Sequence, residues 1–180
     1  YRDMRGNSLE YVMYYDQELV RYEEDRDETE ETYRIEGVMS VDGAEYPVRG
    51  ERSVETEGGE SENETEFVVT VSESSYIRVE QSRESERGET EQEYEYSLYE
   101  NGRLTERSVF EYEEERGETE LKMISYRNGE SEILYFERET VRGEELILLT
   151  VGSGYDVGQY LVHLGTDAEG NPVYEYEPVD

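Results

Sequence analysis

The side chains of this chain that could do chemistry are carboxylates, tyrosines and one imidazole. His163 is the single histidine. It sits in an apolar stretch beside Leu161 and Leu164, where the ordinary role of a histidine is structural. Nucleophilic catalysis needs a hydroxyl or thiol, a base and an orienting group in fixed relation, and no such pattern surrounds it. The 49 Asp and Glu residues offer many pairs at glycosidase-like separations, so no pair stands out. Glu23-Glu24-Asp25 and Glu111 to Glu115 carry the oxygens that calcium prefers. The spaced Asp/Asn-Gly-Glu pattern of a dedicated loop is absent, however, and neighbours on a strand face opposite ways. No glycine-rich phosphate loop precedes a helix. These observations read as no catalytic residue, no metal site and no cofactor, hence a non-enzyme.

The tyrosines carry the remaining chemical interest. There are 18 of them and no Trp. Tyr94, Tyr96, Phe110, Tyr112, Tyr135 and Tyr160 are the candidate ligand-binding set, with Tyr174 and Tyr176 extending the stripe. A tyrosine ring is apolar and its hydroxyl seeks a partner, which suits a cavity wall. Ordinary core packing in a Trp-free β-protein is the alternative. Asn63-Glu64-Thr65 matches a glycosylation sequon.

Strands must position these residues. Tyr94, Tyr96 and Leu98 alternate with Glu93, Glu95 and Ser97, and Phe110 and Tyr112 alternate with Glu111 and Glu113. The alternation recurs at Leu9–Tyr15, Tyr33–Val41, Phe67–Val71 and Tyr174–Glu177, so aromatics take one face and carboxylates the other. Glycine-bearing turn signals punctuate the pattern in two interleaved series. One is Asp42-Gly43, Asn101-Gly102 and Asn128-Gly129, filled in by Ser74-Ser75 and Gly154. The other is Gly58-Gly59, Gly88, Gly117, Gly143 and Gly170. The sequence ERGETE occurs at 86–91 and again at 115–120. The predicted fold is all-β with little or no helix. It is a single long antiparallel up-and-down meander of about 12–13 strands, each about 9–12 residues long. Residues 1–180 form one domain of hairpin repeats, each about 27–30 residues long. Further turns are expected near Asp16 and near Asp27-Glu28. Pro47 must face outward from a ladder or mark a bulge, and Gly37 and Gly50 are candidate bends nearby. From Ile133 to Leu164 both faces turn apolar, which predicts strands covered on both sides.

So wide a sheet with one apolar face must hide that face. It can curve strongly into an open or closed barrel-like form, fold into two layers, or pair with a second copy. Hairpin-only links favour curling. A transmembrane barrel uses the same alternation, but it would crowd most of the 49 carboxylates into the lumen.

Charge narrows the partners. Lys+Arg is 17 against 49 acids, a net charge of −32. That excludes nucleic acid, whose phosphates would be repelled. No apolar run is long enough for a membrane helix. There is no Cys to form a disulfide. A start at Tyr1 fits a trimmed, exported chain, so the expected location is extracellular or cell-surface. The function expected is that of a secreted or surface acidic β-sheet protein acting in interaction or as a structural element. Self-association would run through sheet edges or the apolar face. The alternative is a carrier or sensor of an apolar, lipid-like small molecule held on the tyrosine-rich face.

Overall fold

The computed structural model describes residues 12–127, 129–141, 144–153, 156–166 and 172–179. They form β1 (Val12–Asp25), β2 (Glu28–Val41), β3 (Ala44–Glu57), β4 (Glu60–Ser72), β5 (Ser75–Glu86), β6 (Glu89–Glu100), β7 (Arg103–Glu115), β8 (Glu118–Arg127), β9 (Glu130–Val141), β10 (Glu144–Ser153), β11 (Asp156–Thr166) and β12 (Pro172–Pro178). All pair in sequence order in one antiparallel sheet. No described residue is helical. The strands are 7 to 14 residues long, somewhat longer than the alternation alone suggested. The sheet is open, with β1 and β12 as the outer described strands.

Two-residue turns set the register. Asp42-Gly43 has φ values of 50° and 81°, and Asn101-Gly102 has 51° and 71°. Paired positive φ is the type I′ geometry whose twist matches a hairpin. The two turn series do lie at opposite ends of the sheet. At one end Gly58 N donates to Asp27 O at 3.2 Å, and at the other Asn101 N donates to Ser74 O at 2.7 Å. The signals at Asn128, Gly143, Gly154 and Asp167–Asn171, and the alternation at Leu9 and Tyr11, lie outside the described residues. The expected turn near Asp16 is not formed. Asp16 pairs with Glu36 inside β1, and a register shift between Leu19 and Arg21 is the only irregularity of that ladder. Asp16-Gln17 offers no glycine, and the uninterrupted strand keeps Met13, Tyr15 and Leu19 on one face.

One face collects the apolar side chains across the whole width. Direct partners run Met13, Met39 and Tyr46, then Val48, Val69, Ile77 and Leu98 on successive ladders. Met39, Val48, Phe67, Val69 and Val79 form the buried core, with Met13, Tyr94 and Tyr96 packed against it. Gly37 and Gly50 make this packing possible. A Cβ on Gly50 would lie 2.6 Å from Phe67 Cβ, and one on Gly37 would lie 2.7 Å from Tyr15 Cβ. Each glycine faces an aromatic residue directly across the ladder, which covers the gap its missing side chain leaves. Pro47 pairs with Val38, and the β3–β4 ladder begins one residue later at Val48. Its absent N–H therefore removes no rung on that side.

The strands after Ile133 are not covered on both sides. Leu149 and Val162 are buried on the apolar face, whereas Ile133 and Val157 on the other face are 40% and 65% exposed. Their apolar character reflects a sheet with one layer and a mixed second face, not a sandwiched one.

Candidate functional site

The hairpin turns dictate where the carboxylates fall. Four stretches read EEDRDETE (23–30), ETEGGESE (55–62), ESERGETE (84–91) and EEERGETE (113–120). Each is an acid-x-acid pattern mirrored about a two-residue turn. A hairpin with a two-residue turn places mirror-related residues directly opposite. Because side chains repeat every second residue, both acid pairs land on the same face.

The result is two rows of carboxylates running across the sheet. The outer row is Glu23, Glu30, Glu55, Glu62, Glu84, Glu91, Glu113, Glu120 and Glu137, each the direct partner of the next from β1 to β9. The row nearer the turns holds Asp25, Glu28, Glu57 and Glu60, then Glu86, Glu89, Glu115 and Glu118. Neighbours along such a row stand about 4.8 Å apart, and the two rows about 7 Å apart. Like charges placed so closely favour the protonated form. Accordingly the Glu28 carboxyl is pushed above its ordinary pKa, first by the charge of Glu55. Hydrogen bonding to Glu86 raises Glu60, and hydrogen bonding to Glu115 raises Glu89. Desolvation leads for Glu62 and Glu113, with neighbouring glutamates adding to it.

Further along the same face the charge is compensated. Arg78 Nε and Nη2 each donate to Glu66 at 3.0 Å, and Arg78 also pairs with Glu80 at 2.9 Å. Arg107 binds Glu95, and Lys122 Nζ binds Glu111 at 2.7 Å. Burial works against ionised Glu95, but hydrogen bonds from Arg107 and Ser97 outweigh it and hold its pKa below the ordinary value. A shallow groove of about 230 Å³ between Glu64, Glu66, Glu80, Ser82, Glu93 and Glu95 follows this belt. Beyond it Tyr76 and Tyr99 stack with ring centroids 4.8 Å apart. The face is thus acidic at one end, ion-paired in the middle and aromatic at the other end.

The structure brings five of the six candidate ligand residues to the opposite, apolar face. Tyr94 faces Phe110 directly, Tyr96 lies on the adjacent rung, and Tyr112 faces Leu121. Tyr160 faces Leu149 four strands away from Tyr112. Phe110 is 37% exposed. Tyr135 stands on the acidic face instead, between Lys122 and Thr150. Its hydroxyl is made less acidic by desolvation and by a hydrogen bond to Glu120. The tyrosines therefore do not form a single wall.

His163 is exposed on the acidic face with Nε2 3.5 Å from Glu177 Oε2. An exposed position beside a carboxylate replaces the structural role in an apolar setting that its neighbours suggested. Asn63 lies inside β4, half-buried, and its Oδ1 accepts from Arg52 Nε at 3.1 Å. The sequon is part of a ladder, not of a loop. Among the described residues no three metal-ligating side chains converge, and no helix is long and apolar enough to cross a membrane. The fold and its faces define an open, single-layer acidic meander. Comparison with family models, curated proteins and solved structures finds no match to the chain.

Proposed function

We propose that this is a non-enzymatic, secreted or cell-surface β-protein that works by contact, using its apolar face and presenting its carboxylate rows to solvent. The observation that carries the reading is the sidedness of one open sheet. No second layer of this chain covers the apolar face among the described strands, and Tyr174 and Tyr176 on that face are 62% and 56% exposed. Apolar area of this kind on a soluble protein marks a contact surface. Regular spacing of like charges on the other face keeps that side solvated and resists unwanted stacking of sheets.

A second reading, a carrier of an apolar molecule, draws support from Tyr94, Phe110 and Tyr112, which are adjacent on one face. In that reading the sheet curls around the ligand. Native mass spectrometry after mild purification separates the two. The contact reading expects protein-sized additions to the 21.2 kDa chain. A monomer bearing only a small mass that organic solvent extracts would overturn it in favour of the carrier.

A further inference from the structure

We infer that the β7–β12 half of the apolar face docks against the same face of a second copy of this chain, making a two-layer sandwich. This deepens the contact reading above and rests on it. The chain exposes 12967 Å² of surface at a mass of 21.2 kDa. A compact monomer of that mass exposes about 9,100 Å², so about 3,900 Å² is in excess. An open single layer adds to that surface on both of its faces, and a stable dimer needs each copy to bury only about 600 Å² of it.

The excess is unevenly placed. On β2 to β5 the apolar face is sealed: Ile35, Val48, Phe67, Val69 and Val79 are at most 7% exposed. On β7 to β12 Leu149 and Val162 are buried on the same face, but around them Phe110 at 37%, Val151 at 41%, Tyr174 at 62% and Tyr176 at 56% stand exposed, whereas on β1 the exposed pair is Tyr15 and Leu19, at 48% and 49%. Its rim is polar, with Ser108 opposite Ser125 on one side, which is how contact patches are bounded. Six strands and three rungs span about 24 Å by about 14 Å between Cα atoms, or about 30 Å by 20 Å with side chains. Two such patches would bury about 1,200 Å², the lower bound for a specific interface.

Net charge does not forbid this pairing. The carboxylate rows project from the opposite face. With sheets about 10 Å apart, the rows of two copies stand about 20 Å from each other, more than two Debye lengths at physiological salt. The geometry selects face-to-face over back-to-back association.

Sedimentation of the full chain, up to about 100 µM, tests the inference against an affinity of micromolar order. The expected species is a dimer of 2 × 21.2 = 42.4 kDa. Tyr174→Ser combined with Tyr176→Ser should weaken it at least about tenfold. Both side chains are more than half exposed, so the far-ultraviolet spectrum should not change. Tyr14→Ser, on the other face and 70% exposed, should leave the dimer intact. A chain that stays monomeric overturns the inference. So does a dimer that resists the double substitution or yields equally to Tyr14→Ser. A monomer that still captures a different protein overturns this inference alone and leaves the contact reading standing.

Discussion

Glu62 and Glu66 lie on one strand and one face, four residues apart, yet the structure assigns their charges opposite signs of effect. Glu62 faces Glu55 on one side and Glu84 on the other, with no cation among the groups that shift it. Each directly opposed like pair costs roughly 0.2–1 kcal/mol, so relieving two should return about 1 kcal/mol. Glu62→Gln keeps the shape and removes the charge. For a chain of this length that corresponds to a rise of about 3 °C in Tm. Glu66, in contrast, accepts both nitrogens of Arg78. Glu66→Gln should lose about 0.5–1 kcal/mol, discounted because both partners are substantially exposed. The assay is thermal and urea unfolding at about 20 mM and about 0.5 M salt, where Debye lengths are about 21 Å and about 4 Å. The gain from Glu62→Gln should shrink to near zero at high salt. The reasoning is refuted if both variants move Tm in the same direction. It is equally refuted if the gain is indifferent to salt.

Three further outcomes follow from the same structure. Glu28, Glu60, Glu62, Glu89 and Glu113 hold their protons more tightly when folded than when unfolded. The folded state therefore gains stability as pH falls from neutrality toward their raised values. A Tm that drops steadily between pH 7 and the ordinary carboxylate range would contradict this. Glu95 acts in the opposite sense, and its contribution disappears only below the ordinary carboxylate pKa. Gly50→Ala should cost about 2–3 kcal/mol in urea unfolding, since the new methyl meets first the carbonyl oxygen of Glu66 and then Cβ and Cα of Phe67 and packed strands cannot give way freely. A double-mutant cycle on Tyr76 and Tyr99, each to Ala, should return a coupling of about 0.5–1.5 kcal/mol for the stacked rings; a coupling indistinguishable from zero would show that the stack adds nothing beyond burial.

Much of the fold is legible in the chain because turn chemistry and alternation agree. Asp42-Gly43 and Asn101-Gly102 supply the residues that positive φ requires, and each sits where one alternating segment ends and the next begins. Asp16 shows the limit of that logic. A polar pair inside a strand looks like a turn until the pairing of both flanks with β2 is known. The carboxylate rows needed one more step. Repetition of ERGETE is visible by eye, but the mirror symmetry about each turn matters only once the turns are fixed at two residues, because that fixes register. Tyr135 stands apart from the other candidate tyrosines for a different reason. Ile133 and Tyr135 alternate with Leu134 and Phe136, so both faces of β9 are apolar and parity carries no signal. Whether an apolar face is covered is likewise not written in the residues of the face itself.

The ladder has a consequence for how the molecule can change size. Every well-developed contact joins strands adjacent in sequence, and no described rung ties β12 back to β1. Stability is then close to a sum of nearest-neighbour terms, as in repeat arrays. Removing one whole hairpin with one turn, such as 73–100, would leave Asn101-Gly102 to join β4 to β7 at the same end of the strands and would narrow the sheet without altering its rungs elsewhere. Width in this architecture is a free variable: lineages can lengthen or shorten the array by units, and unfolding can proceed from an end, strand by strand.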